Sequence, residues 1–160
     1  MGLEIERKFL VSGTPWHGHR GVDCRQGYLN LGSAQTVRVR VADGRGFLTI
    51  KGPSQGATRT EFEYPIPLAD AEQILAELCL PPIIKKTRYL IPHAGLTWEV
   101  DVFAGENQGL VIAEVELDDE QQAITLPSWV GEEVTGDVRY FNAYLVEHPY
   151  LSWGNHRAVS

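Results

Sequence analysis

Cysteine is scarce in this chain of 160 residues: Cys24 and Cys79 are the only two, and they stand far apart. That spacing supplies neither a disulfide framework nor a thiolate metal site, so reduced thiols in a cytoplasmic protein are the expectation. There is no charged-then-apolar leader and no uninterrupted apolar run long enough to cross a bilayer, so no membrane partner is expected. Positive charge is in deficit as well: fourteen Lys and Arg face twenty-one Asp and Glu, for a net charge of −7. Such a balance argues against a nucleic-acid partner, which calls for a basic surface. It leaves room for a small anion, because a local concentration of basic groups can oppose the overall sign. The five histidines show no ligand spacing, and no Ser-His-Asp or Cys-His set stands out. Internal repeats, low-complexity tracts and linkers are missing too, and 1–160 reads as a single domain.

What the chain does have is period-two alternation, cut by Gly, Pro, Asn and Asp turns. At the start, MGLEIERKFLV sets Glu4, Glu6 and Lys8 on alternate positions against Ile5, Phe9 and Val11, with Arg7 the one charge on the apolar side. Further strands are predicted at 24–31, 35–43, 46–52, 58–66, 83–91, 96–103 and 109–118, with a hairpin turn at Asp43-Gly44-Arg45-Gly46. A helix is predicted over 69–79, where Ile74, Leu75 and Leu78 form one apolar stripe before Pro81-Pro82, and a second at 139–148.

An ordinary half-buried sheet would simply turn its polar face to water. Here eight strands share one pattern, and the polar face is charged throughout. It carries Lys8, Arg38, Arg40, Lys51, Arg59, Lys86 and Arg88, together with Glu4, Glu6, Glu61, Glu63, Glu99, Asp101, Glu114 and Glu116. Closed with that face inward, the sheet becomes a polar tunnel, and about eight strands is a size at which a barrel holds one small ligand. The apolar outer face then needs cover from helices or a second subunit, which leaves a homodimer open.

These segments, in order, resemble the CYTH superfamily, also called triphosphate tunnel metalloenzymes, and in size its short bacterial inorganic triphosphatases. The resemblance rests on Glu4-x-Glu6-x-Lys8, Arg38-x-Arg40, Thr49-Ile50-Lys51-Gly52, Arg59-x-Glu61-x-Glu63, Lys86-x-Arg88, Trp98 to Phe103, Ala113 to Glu116, and Val134 to Tyr140. It implies a mainly β member of the α+β class: an eight-stranded antiparallel closed barrel with peripheral helices, binding a triphosphate with Mg²⁺ or Mn²⁺. Metal-dependent hydrolysis of inorganic tripolyphosphate is the first expectation. A class IV adenylyl cyclase, a nucleoside or thiamine triphosphatase, and a non-catalytic polyphosphate-binding module are the alternatives.

Residue types fit that chemistry. Guanidinium groups such as Arg38, Arg40, Arg59 and Arg88 can donate paired bonds to phosphate, and Lys8, Lys51, Lys85 and Lys86 add compact positive charge. Singly, any of these reads as a solvated surface cation; at matching parity they read as a ligand wall, with Lys85 sharing the task only if its strand is bulged. Carboxylates beside a polyanion would only repel it, unless a hard divalent cation lies between. The resemblance makes Glu4, Glu6 and Glu116 direct metal ligands, with Glu114 acting directly or through water. The competing reading pairs all four with tunnel arginines. Glu61, Glu63, Glu99 and Asp101 either orient the cations by ion pairs or reach a second metal. Tyr28 projects into the tunnel or packs at its end. The catalytic expectation joins Lys8, Arg38, Arg40, Lys51, Glu61, Glu63, Lys86 and Arg88 around in-line attack by water, without a covalent enzyme intermediate.

Overall fold

The computed structural model describes residues 2–31 and 34–153. Its strands and helices run β1 (Leu3–Val11), β2 (Gly21–Tyr28), β3 (Thr36–Ala42), β4 (Arg45–Gln55), β5 (Thr58–Ile66), α1 (Leu68–Glu77), β6 (Ile84–His93), β7 (Leu96–Phe103), β8 (Val111–Glu116), β9 (Val130–Glu133) and α2 (Asn142–Glu147). Eight strands are hydrogen-bonded in the order β5-β4-β3-β2-β6-β7-β8-β1, and β1 returns to β5, closing an antiparallel barrel. The architecture expected from the alternating pattern is the one observed.

Two strands differ from the sequence reading. The second strand occupies 21–28 rather than 24–31, because Gly21 to Asp23 pair with Tyr89 to Thr87 of β6. It stops at Tyr28, beyond which Asn30 accepts from the Val37 N–H and donates to the Gln35 carbonyl, fixing the connection to β3. β9 was not expected, being four residues long with no alternation to betray it. It pairs antiparallel with the last residues of β1, beyond the stretch held by β5; between the two, the Glu6 N–H donates to the Ala57 carbonyl (3.0 Å) and the Lys8 N–H donates to Thr135 Oγ1 (2.9 Å). β5 and then β9 therefore follow one another along one edge of β1, while β8 takes the other.

The chain covers much of its own apolar outer face. Helix α1 lays Ala71 and Leu75 on Val39 and Val41 of β3. Gly46 permits the close approach, since a Cβ there would stand 2.6 Å from the Cβ of Ala71. Around β1, β7 and β8, Phe9, Trp98, Val100, Ala113 and Val115 are sealed by Trp16, Ile124 and Trp129. Full burial of side chains of this size is worth about 1.5–3 kcal/mol each, so these layers hold the barrel closed.

Inward positions are not polar throughout. Leu10, Tyr28, Ile84, Phe103 and Ile112 pack at one end against Tyr140, Leu145, Val146 and Tyr150 of the C-terminal segment. That segment is a short 3₁₀ turn (Val138–Tyr140) followed by α2, rather than one helix over 139–148. It stops one end of the tunnel, leaving a blind chamber.

Candidate active site

The barrel interior holds a cavity of about 210 Å³. Seven basic side chains line it (Lys8, Arg38, Arg40, Lys51, Arg59, Lys86 and Arg88), and so do seven carboxylates (Glu4, Glu6, Glu61, Glu63, Glu99, Glu114 and Glu116). Period-two geometry brings them together from seven strands: each contributes its inward set. Tyr28 also reaches the wall, beside the apolar stopper.

Two of the sequence candidates lie elsewhere. Lys85 is exposed and outside the lining; β2 and β6 pair in unbroken register, Cys24 opposite Lys86 and Arg25 opposite Lys85. Without a bulge its side chain points away from the chamber. Asp101, only 1% exposed, lies behind the lining, where it ties two cations together. Its Oδ2 accepts from Lys86 Nζ at 2.6 Å, and Arg88 donates to both of its oxygens at 2.8 and 2.9 Å. Those two cations outweigh the effect of burial and hold the Asp101 carboxyl well below its usual range.

The remaining carboxylates divide into two kinds. Glu63 takes Arg38 Nη2 (3.4 Å), Arg40 Nη2 (3.1 Å) and the Thr49 hydroxyl (2.9 Å), and so aligns both arginines. Glu61 pairs with Lys51 Nζ at 3.1 Å, Glu4 reaches the same ammonium at 3.4 Å, and Glu99 lies 3.5 Å from Arg88. Burial works against the charge on Lys51, yet Glu4, Glu6 and Glu61 raise its pKa above the ordinary lysine value. Glu6, Glu114 and Glu116 behave differently: among the described residues none of them forms an ion pair. Glu6 stands directly opposite Glu116 across β1 and β8, and Glu114 lies opposite both Lys8 and Glu99. Like charges facing one another in this way are destabilising. Burial first, then the Glu114 charge, push the Glu6 carboxyl well above the usual carboxylate range.

Facing these carboxylates are cations with donors to spare. Arg38 Nε and Arg40 Nε are buried with no hydrogen-bond partner among the described residues. The ammonium of Lys8, a residue 7% exposed, donates among the described residues only to the Tyr140 carbonyl (3.2 Å), and the ring of Phe141 lies 5.0 Å from that ammonium and 5.5 Å from the Arg59 guanidinium. Buried orphan donors beside unpaired carboxylates suit a phosphate chain and a hard divalent cation together. No group of three or more His, Cys, Asp or Glu side chains is already gathered for a metal among the described residues.

Thr49, Phe141 and Asn142 escaped the sequence reading. Thr49 shares the inward parity of Lys51 and was within reach of it. Phe141 and Asn142 line the chamber from a segment with no alternation, where parity has nothing to say.

Comparison with known proteins places these features in a family. The CYTH domain, as a sequence family, matches residues 2–150. An inorganic triphosphatase of Acetivibrio thermocellus is 52% identical over 96% of this chain and 99% of its own length. One of Nitrosomonas europaea is 40% identical over 89% of this chain and 95% of its own. A crystal structure of an inorganic triphosphatase superposes with a TM-score of 0.65 at 37% identity, covering 89% of this chain and 93% of that one. A putative adenylate cyclase of Bacillus halodurans, 18% identical with a TM-score of 0.60 over 76% of this chain and 84% of its own, shares the fold. The closed charged barrel, the order of its strand motifs and a match spanning nearly all of the sequence have one common explanation: this chain belongs to the CYTH domain family.

Proposed function

We propose that this protein hydrolyses inorganic tripolyphosphate to pyrophosphate and phosphate in the cytoplasm, using Mg²⁺ or Mn²⁺. One observation carries the reading. Among the described residues Glu6, Glu114 and Glu116 form no direct ion pair while Arg38 and Arg40 keep buried Nε donors unused, and the two sets share one chamber. The absence of a direct arginine pair at these three supports the metal reading over the one in which all four carboxylates pair with arginines. The substrate follows from the relatives, both inorganic triphosphatases, and from size. At about 210 Å³ the chamber is smaller than the roughly 300–1,000 Å³ of sites that enclose drug-sized ligands. A base and ribose would have to remain outside it.

In this reading Glu4, Glu6 and Glu116 would hold the metal, with Glu114 acting directly or through water, and the metal would supply polarisation of the phosphoryl group and charge neutralisation. Arg38, Arg40, Arg59 and Arg88 grip non-bridging oxygens, with Glu63 and Asp101 fixing the planes of three of these guanidinium groups. Lys8, Lys51 and Lys86 stabilise the charge that develops as water joins the terminal phosphorus and the bridging P–O bond breaks. The protons of the attacking water leave with the phosphate products.

The test is phosphate release from tripolyphosphate, ATP and thiamine triphosphate, each with Mg²⁺, Mn²⁺ or chelator. Turnover of tripolyphosphate well above the other two, abolished by chelator, is the expected outcome. Faster turnover of ATP would reassign the substrate. Tight tripolyphosphate binding without any release would make the protein a binding module.

A further inference from the structure

Lys86 is the most enclosed cation of the chamber wall, 4% exposed, and its ammonium has three protons to place. One goes to Asp101 Oδ2 at 2.6 Å and a second to Asn142 Oδ1 at 3.1 Å, leaving one for the cavity that Lys86 lines. Asp101 cannot aim that proton by itself. Its Oδ2 is shared with Arg88 Nη2, and a single hydrogen bond leaves the ammonium free to rotate on a flexible stem. The second bond removes the freedom.

Asn142 is in turn held. Gln26, fully buried on β2, donates from Nε2 to the same Oδ1 at 2.7 Å. Because the Lys86 ammonium can only donate, the oxygen of Asn142 must face it, and Gln26 then presents its Nε2 to the same atom. Asn142 is also the first residue of α2, whose Leu145 and Val146 belong to the apolar stopper. Backbone placement of the closing helix is thereby linked through one amide to the direction of one ammonium.

We infer that Asn142 is a positioning residue for the phosphoryl-transfer site: its amide oxygen, fixed by Gln26, aims the Lys86 ammonium into the chamber. The inference rests on the reading of Lys86 as a phosphate-stabilising cation. Transition-state stabilisation needs Lys86 in one direction, whereas ground-state binding is spread over seven cations. Loss of the acceptor therefore acts on kcat more than on KM.

The experiment compares Asn142→Leu, Asn142→Ala, Asn142→Asp, Lys86→Met and the double variant Lys86→Met/Asn142→Leu on tripolyphosphate, with thermal midpoints measured for each. Removing the acceptor should lower kcat by roughly 10- to 100-fold, the scale on which misplacement of a reacting group is felt, with KM changed less than threefold. Asn142→Asp, which keeps the acceptor oxygen, should keep kcat within about threefold and raise KM, since its charge repels the anion. In the double variant the leucine should cost nothing beyond the loss of Lys86, because the two act as one unit. If the leucine variant does not fold, the alanine variant carries the same expectation. Wild-type kcat without the acceptor, equal loss in the aspartate variant, or additive losses in the double variant would each overturn the inference. An inactive wild type would instead sink the functional reading itself, so the two failures are distinguishable.

Discussion

At the scale of single residues, the site is held together by groups that stabilise it and strained by groups that do not. Asp101 belongs to the first kind, with Lys86 and Arg88 both bonded to a carboxylate that is 1% exposed. Its pKa is depressed below the unperturbed 3.8, so the folded protein binds fewer protons than the unfolded chain as pH falls below about 4. Stability from this group is therefore complete above that pH and lost on acidification. Asp101→Asn should cost about 3–5 kcal/mol at neutral pH, the usual penalty for stripping one partner from a buried ion pair. It should also flatten the acid limb of a plot of urea midpoint against pH; parallel limbs for both proteins would contradict the assignment. Glu6 belongs to the second kind. Facing Glu116 and beside the charge of Glu114, it is where metal-free stability is given up. Glu6→Gln should remove metal-dependent turnover and yet raise the metal-free thermal midpoint by roughly 1–3 °C, from about 0.2–1 kcal/mol of relieved repulsion. A lower midpoint would mean that Glu6 is a structural partner instead.

Among the elements, the turns show what could be read from sequence and what could not. Asp43-Gly44 was legible as a hairpin, and both residues do adopt positive φ, 52° and 71°. The β6–β7 hairpin turns the same way through Ala94-Gly95, at φ 51° and 83°, although alanine advertises no such conformation. An alanine pays about 1–2 kcal/mol in the left-handed region, which asparagine tolerates. Ala94→Asn should thus stabilise the protein by about 0.5–1 kcal/mol, seen as a rise of roughly 1–4 °C in thermal midpoint; a fall would show that the turn relies on the small side chain. The same division runs through the site. Parity on a closed barrel fixes which side chains face inward, so the inward set from Glu4 to Glu116 could be read directly, and Lys85 was excluded once the register proved unbroken. Asn142, Phe141 and the four residues of β9 answer to no period, because tertiary contacts rather than a repeating pattern place them.

For the molecule as a whole, the difficulty is to attract a polyanion with a chain of net charge −7 and a chamber whose seven cations meet seven carboxylates. Nothing in that balance draws in a triphosphate over long range. Ion pairs already engage Arg38, Arg40, Lys51, Lys86 and Arg88, so the phosphate chain must compete with Glu63, Glu61, Glu4, Asp101 and Glu99 for them. Occupation of Glu6, Glu114 and Glu116 by a divalent cation would shift the chamber to net positive, which makes metal and anion binding mutually dependent. Coupling of this kind is commonly worth about 1–3 kcal/mol, or 5- to 150-fold in affinity, and it is reciprocal. A non-hydrolysable tripolyphosphate analogue, titrated calorimetrically, should therefore bind at least fivefold more tightly with Mg²⁺ than with chelator. Because Mg²⁺ also neutralises the free ligand, the decisive comparison is with Glu6→Gln, in which the protein's share of the coupling should shrink. Equal metal enhancement in the two proteins would place the effect in solution and remove the carboxylates from the metal site.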